Sequence, residues 1–289
     1  MTTAEAEFAP AKINLALHVT GRRPDGYHLL ESLVVFADFG DEVSVELAED
    51  LTLSVSGPMA NGVPTDASNL VLKAAELVRQ LRGVTQGAAI SLTKKLPHGA
   101  GLGGGSSDAA AVIRALARLW NVEPLTVAEA LPLGADLPVC LSAPTPMMMS
   151  GIGEILTPAP DLPELWLVVV TPDLVLNTGD VFRRFDETDQ GELGGLTPVD
   201  RFEDFKAFET WLNRQRNDLT HFTGKRGIAR EIEEVLTAFL ETEGCVNSDM
   251  SGSGSACWAL FRKETQARVA TYKLGKRKWS WWARVTRIS

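Results

Sequence analysis

Cysteine is scarce in this 289-residue chain: there are three, Cys140, Cys245 and Cys257, an odd number set far apart. No CxxC pair exists, and the four histidines (His18, His28, His98, His221) show no metal-ligand spacing. Neither a disulfide scaffold nor a zinc site is expected, and the thiols read as buried groups in a reducing cytosol. Positive charge is short as well. The chain has 28 Lys+Arg against 37 Asp+Glu, a formal −9, which argues against broad binding to nucleic acid or to an anionic membrane. No apolar run approaches the roughly 20 residues of a membrane span. The opening residues 1–7 hold two acids, no base and no apolar stretch, so they do not read as a secretory signal. A Gly-Lys-Ser/Thr tripeptide is also missing, which excludes a Walker A loop.

What remains is a globular composition, 45% apolar and 22% charged, long enough for two domains. Charge is uneven. Residues 262–289 hold nine Lys/Arg and one acid, a local +8 that leaves −17 elsewhere. With Trp279, Trp281 and Trp282 this end invites a base-stacking role, but residues 279–285 read better as a terminal strand after a helix at 264–276.

Ile13, Leu15, Leu17 and Val19 alternate as a strand, putting Lys12 and Asn14 together on the other face. A turn-rich stretch at 21–26 leads to Tyr27 and His28, and 32–39 is a second strand. Val43, Val45 and Leu47, then Leu51, Leu53 and Val55, flank Glu49-Asp50 as a hairpin would. Residues 70–81 have helical spacing behind a cap at Ser68 or Asn69. A strand is expected at 88–96 and a helix at 109–120, with Ser106, Ser107 and Asp108 at its start. A short helix is expected at 126–131. Prolines at 144 and 146 mark a boundary, giving domains 1–146 and 147–289. Beyond it, 165–170 and 256–261 read as strands. Ile228, Ile232, Val235, Leu236 and Phe239 form one helix face, and 187–200 is a polar surface loop. Strands outnumber a βα alternation, so the class is α+β.

The most informative segment is Pro97-His98-Gly99-Ala100-Gly101-Leu102-Gly103-Gly104-Gly105-Ser106-Ser107-Asp108. Its glycines lie between a strand and a helix start. Backbone N–H groups can converge there without Cβ obstruction, and the helix N-terminus adds free donors and the positive dipole end. Together they suit a phosphate chain. Ser106 and Ser107 can cap the helix or present hydroxyls to a phosphate or its metal. Gly99, Gly101 and Gly104 also satisfy GxGxxG, but the following Asn121-Val122-Glu123-Pro124 is no strand ending in an acid, as a dinucleotide site would want. A plain flexible turn does not need this many glycines before a helix. Nucleotide phosphate binding is therefore the favoured reading.

Pro97-x3-Gly101-Leu102-Gly103-Gly104-Gly105-Ser106-Ser107 resembles the phosphate loop of the galactokinase, homoserine, mevalonate and phosphomevalonate kinase superfamily. Gly134-Ala135-Asp136-Leu137-Pro138 and Met250-Ser251-Gly252-Ser253-Gly254-Ser255 fit the same pattern. Within it the closer resemblance is to the 4-diphosphocytidyl-2-C-methyl-D-erythritol kinase family. Ala11-Lys12-Ile13-Asn14-Leu15, Pro24-Asp25-Gly26-Tyr27-His28 and the third consecutive glycine carry it. The motifs extend from Pro10 to Phe261. The resemblance implies an N-terminal ribosomal-protein-S5-domain-2-like nucleotide domain and a C-terminal ferredoxin-like α/β-sandwich domain, with the site in the cleft between them. It implies ATP and a cytidine-diphosphate polyol as substrates, Mg²⁺ with ligands unidentified, and a cytoplasmic enzyme of non-mevalonate isoprenoid precursor biosynthesis. It implies no nucleic-acid or membrane partner, and leaves monomer or homodimer open. Another kinase of the superfamily, or a non-catalytic nucleotide- or nucleic-acid-binding module, are the alternatives.

By the same resemblance Asp136 accepts the alcohol proton, and Lys12 keeps it ionised and spreads the developing charge. Alone, Asp136 reads equally as a turn or cap residue and Lys12 as a solvated strand lysine. Asn14, Tyr27, His28 and Phe182 are implied as the cytidine pocket, with core packing the alternative for Phe182 and a plain turn residue that for His28. Asn69 and Lys94 match positions near the adenosine, with a helix cap and a solvated strand edge as local alternatives. Pro97, Gly99, Gly101, Leu102, Gly103, Gly104, Gly105, Ser106 and Ser107 are implied as the ATP loop. Gly252, Ser253 and Gly254 would form a second backbone nest over the phosphates, or merely a loop before a strand. Two stretches depart from the pattern: 143–150, where Met147-Met148-Met149 replaces a glycine-rich run, and the basic Trp-rich end.

Overall fold

The computed structural model describes residues 4–188, 193–278 and 280–288. Two long strands, β1 (Ala4–Arg22) and β2 (His28–Ala48), pair with each other. The chain forms two compact units. One contains the residues up to Lys12, then Phe39–Leu96 and Gly103–Ala143; the other contains Ile13–Asp38, Pro97–Leu102 and the residues from Pro144 on. The last passage from one to the other falls at Ala143/Pro144, beside the prolines.

The first unit adds β3 (Thr52–Ser56), α1 (Leu70–Arg82), β4 (Gly87–Thr93), α2 (Gly104–Trp120), α3 (Val127–Ala130) and α4 (Leu137–Leu141). The expected hairpin between β2 and β3 does not form. β4 lies between them, antiparallel to Glu42–Ala48 of β2 and parallel to β3. The reason is burial: β4 hides Ala88, Ile90 and Leu92 completely, whereas β3 hides only Leu53. The more apolar strand takes the central place and the half-polar one the edge. Val71, Ala74 and Val78 of α1 and Ala109, Val112 and Leu116 of α2 share one apolar cluster with Val43, Val45, Ile90 and Leu92.

Helix α2 starts at Gly104, a turn earlier than expected. Gly103 (φ 63°) stands at its N-cap without a side-chain bond, so Ser106 and Ser107 are not the caps. Glycine's low helix propensity pointed to a later start. The buried contacts of Ser107 and Asp108 outweigh it.

The second unit adds β5 (Met147–Gly151), β6 (Ile155–Pro158), β7 (Leu165–Thr171), α5 (Thr178–Asp186), α6 (Phe205–Leu212), α7 (Arg230–Leu240), β8 (Cys245–Met250), β9 (Cys257–Phe261), α8 (Glu264–Arg277) and β10 (Trp282–Ile288). Its antiparallel sheet has the order β10-β7-β9-β8. Val235 and Phe239 of α7 and Ala267 and Leu274 of α8 join Val168, Val170, Ala259 and Phe261 in its core. The methionine run is strand β5, paired with Leu30–Val34 of β2 and burying Met147 and Met149. The terminal strand starts at Trp282 rather than 279, and pairs with β7 along its length. Trp279 and residues 189–192 of the expected polar loop lie outside the described residues. The whole is a mixed α+β fold with two sheets.

Candidate active site

Strand β1 carries Lys12, and the turn before α4 carries Asp136. Lys12 is only 3% exposed, so it is no solvated strand lysine. Its Nζ lies 3.2 Å from Asp136 Oδ2, and the Asp136 side chain remains 43% exposed. Asp136 occupies the N-cap position of α4 but makes no cap hydrogen bond, so its carboxylate is not consumed by the helix. Gly103 closes over the lysine stem: a Cβ there would sit 3.1 Å from Lys12 Cβ and 3.2 Å from Cε. Cys140 lies beneath, and burial, reinforced by Asp136, pushes its thiol up to about 12. It is an inert packing group.

The glycine segment divides between the units. In the second, Gly101 (φ 73°) is required by a close approach, since a Cβ would stand 2.6 Å from the Gly254 carbonyl oxygen and 2.7 Å from that of Ser251. The Ser251 hydroxyl accepts from the Asn14 N–H at 3.0 Å and donates to the Gly101 carbonyl at 3.3 Å. Ala256 N–H donates to the Ala100 carbonyl at 2.7 Å. The stretches 99–102 and 251–255 are thus stitched together, and Gly252 and Gly254 also have positive φ. Asn217, a residue with no signal in the sequence, supports them by donating its side-chain amide to the carbonyls of Met250 and Gly252. Asn14 is buried and its own amide donates to Ser32 Oγ at 2.7 Å.

In the first unit Gly104, Gly105 and Ser106 form the first turn of α2. Ser107 is fully buried and donates its hydroxyl to the Pro10 carbonyl at 2.7 Å, so that proton is not available to a phosphate. Asn69 caps α1, its Oδ1 accepting from the Val71 N–H at 2.9 Å and its amide donating to Pro64.

Lys94 does not solvate a strand edge. It is 3% exposed and donates to both Asp41 and Asp108. Asp41 also accepts from the N–H groups of Lys95 and Leu96, while Asp108 Oδ1 is buried without a partner. Burial pushes the Asp108 carboxyl up to about 8; Lys94 opposes that and Asp41 reinforces it. Burial alone would lower Lys94, but the two carboxylates hold it above its usual range. Neither Asp41 nor Asp108 was foreseen, although an acid on the otherwise apolar face of α2 is a usable signal.

In the second unit His28 and Phe182 do come together, with ring centroids 4.5 Å apart and planes at 23°. His28 Nε2 is 2.7 Å from Asp186 Oδ1, and Arg22 Nη1 lies 3.2 Å from the other oxygen. Tyr27, 58% exposed, stands open beside them. Phe182 also packs on the apolar core. At the start of the same helix Thr178 Oγ1 meets Ser253 Oγ at 2.8 Å.

Residues 69–146 match the GHMP kinases N terminal domain and residues 199–280 the GHMP kinases C terminal family. A 4-diphosphocytidyl-2-C-methyl-D-erythritol kinase of Paramagnetospirillum magneticum is 49% identical over 98% of this chain and 97% of that protein. The chain belongs to the 4-diphosphocytidyl-2-C-methyl-D-erythritol kinase family. It is therefore a kinase, a phosphotransferase built from the two GHMP domains. A family member from a Jannaschia species is 46% identical, covering 97% of each chain. The crystal structure of a 4-(cytidine 5'-diphospho)-2C-methyl-D-erythritol kinase superposes with a TM-score of 0.75 at 34% identity, covering 98% of this chain and 99% of that one. The family expected from the motifs is the family found.

Proposed function

We propose that this chain transfers the γ-phosphoryl group of ATP to the tertiary 2-hydroxyl of 4-diphosphocytidyl-2-C-methyl-D-erythritol, giving the 2-phosphate and ADP in non-mevalonate isoprenoid precursor synthesis in the cytoplasm. The Lys12–Asp136 pair carries the reading: a buried ammonium 3.2 Å from a carboxylate still open to a substrate. As the alcohol oxygen bonds to the γ-phosphorus and the bond to ADP breaks, Asp136 accepts the alcohol proton. Lys12 offsets negative charge on the phosphoryl oxygens. The lysine is set in place before reaction by Gly103 and its burial, so little reorganisation is needed.

Backbone N–H groups at the start of α2, Gly104–Ser106, are donors for a phosphate in the first unit, and residues 99–101 and 252–254, where Gly99, Gly101, Gly252 and Gly254 have positive φ, are donors in the second. Asn69 and Lys94, which match positions near the adenosine, are held by a helix cap and a buried ion cluster respectively. Tyr27, His28 and Phe182 offer rings for a cytosine, and Asn14 braces the strand that follows Lys12. Mg²⁺ would arrive with ATP. Among the described residues no group of three or more His, Cys, Asp or Glu side chains is gathered to hold a metal.

Turnover of ATP against a panel of alcohols tests the reading, the methylerythritol being offered with and without its cytidine diphosphate. Activity confined to the cytidylylated alcohol is expected. Equal activity on homoserine or mevalonate would overturn it, and ATP binding without turnover on any alcohol would make the chain a nucleotide-binding module.

A further inference from the structure

We propose that Asp186 is the positioning residue that fixes the His28 imidazole in its Nε2-protonated tautomer, so that Nδ1 accepts from a base's exocyclic amino group and cytosine is preferred over uracil. The inference deepens the proposed function and rests on that reading of the pocket.

One helix does the positioning. Phe182 and Asp186 lie four residues apart on α5, hence on one face a turn apart. Phe182 stacks on the His28 ring and Asp186 takes its Nε2 at 2.7 Å. Phe185, between them in sequence, meets the same ring edge-on at 6.1 Å. Plane and rotation of the imidazole are therefore both set. An ionised carboxylate only accepts, so the shared hydrogen must sit on Nε2. A neutral imidazole carries one hydrogen, which leaves Nδ1 with a lone pair.

Arg22 Nη1 lies 3.2 Å from the other Asp186 oxygen, so both oxygens of the carboxylate are engaged. Arg22 Nε also donates to the Gly26 carbonyl at 3.2 Å. That bond ties the turn presenting Tyr27 and His28 to the ion pair. Among the described residues no hydrogen bond is made to Nδ1. An acceptor there matches the amino group that cytosine presents and opposes the carbonyl that uracil has at the same place. A site built for one hydrogen-bond polarity rejects the reverse because two acceptors are left facing each other unpaired.

Two measurements on the full-length protein test this. Nitrogen-15 histidine spectra, with His28 assigned by its loss in His28→Gln, report the tautomer of the ligand-free protein directly. A protonated Nε2 and bare Nδ1 are expected, passing to a tautomer mixture in Asp186→Ala. Calorimetric titration with CDP and with UDP reads selectivity independently of turnover. Asp186→Ala is expected to weaken CDP by about tenfold or more and UDP little, with ATP affinity unchanged, and Asp186→Glu is expected to restore part of the difference. A hydrogen on Nδ1 in the wild type, an unchanged tautomer in Asp186→Ala, or an equal loss of CDP and UDP would each overturn the inference. If wild type discriminates CDP from UDP through Asp186 yet phosphorylates no cytidylylated alcohol, the inference stands and the proposed reaction fails.

Discussion

Lys12 and Lys94 lie equally deep in the first unit, each 3% exposed and each bonded to a carboxylate. Their surroundings differ in one respect. Both partners of Lys94 are buried with it, and Asp41 is further tied to main-chain N–H groups. The partner of Lys12 has 43% of its side chain in solvent. The first cluster is closed on itself and has no face for a substrate. The second presents a carboxylate oxygen to solvent beside a buried lysine. Burial of the lysine does not distinguish the two; exposure of its partner does, and it is the reason we propose the open pair as the catalytic one.

The largest effect should come from the open pair. Asp136→Asn or Lys12→Ala should lower turnover by about 10²–10⁴-fold, the usual reach of positioned acid–base groups. Steady-state kinetics beside ATP titration would check it, since ATP affinity should persist. Asp136→Asn should also leave the unfolding temperature nearly unchanged. The closed cluster should behave in the opposite way. Lys94→Met leaves the buried Asp41 and Asp108 side chains without their cation and should cost about 3–5 kcal/mol of stability. Urea denaturation reads this, and a cost under about 1 kcal/mol would deny the cluster its structural role.

A smaller effect should link geometry to the open pair. Gly103→Ala forces a side chain into a left-handed backbone, at about 1–2 kcal/mol, and presses its Cβ on the Lys12 stem at 3.1 Å. The expected result is a fall in kcat larger than the stability change explains. Unchanged kcat would mean that Gly103 does not hold Lys12 in place.

The sequence made the open pair legible and the closed one illegible, for a physical reason. Lys12 and Asp136 sit in motifs that resemble those of a kinase family, and it is the resemblance that implies them as a pair; the structure brings them to 3.2 Å. Lys94 sits in a strand pattern that cannot say whether its side chain meets solvent or acids, and its partners come from positions 53 and 14 residues away. Local pattern likewise found α1, α8 and strands β7 and β9. It failed for the β2–β3 hairpin, where the choice of neighbour depends on which strand is most apolar and not on the turn between them. His28 and Phe182 were paired from motifs. Asp186 was missed, although its spacing from Phe182 places it on the same helix face.

The last expected effect sharpens the comparison, because it appears as a pH slope instead of a loss. Asp41 and Lys94 already form a neutral pair, so Asp108 brings a surplus buried negative charge with one oxygen unpartnered. Burial raises its carboxyl from the ordinary 3.8 to about 8. The folded state therefore keeps this proton through a range in which the unfolded chain has released it. With more protons bound folded than unfolded, stability must fall as pH rises from about 4 to about 8, and level off above. In Asp108→Asn no such proton exists. Its unfolding free energy should lack that component of the decline between pH 5 and 8, while Lys12–Asp136 chemistry remains. The quantity to compare is the slope, since the height also contains the cost of an imperfectly bonded amide. Equal slopes in the two proteins would mean that Asp108 is ionised in the fold at neutral pH, and that the closed cluster tolerates its extra charge.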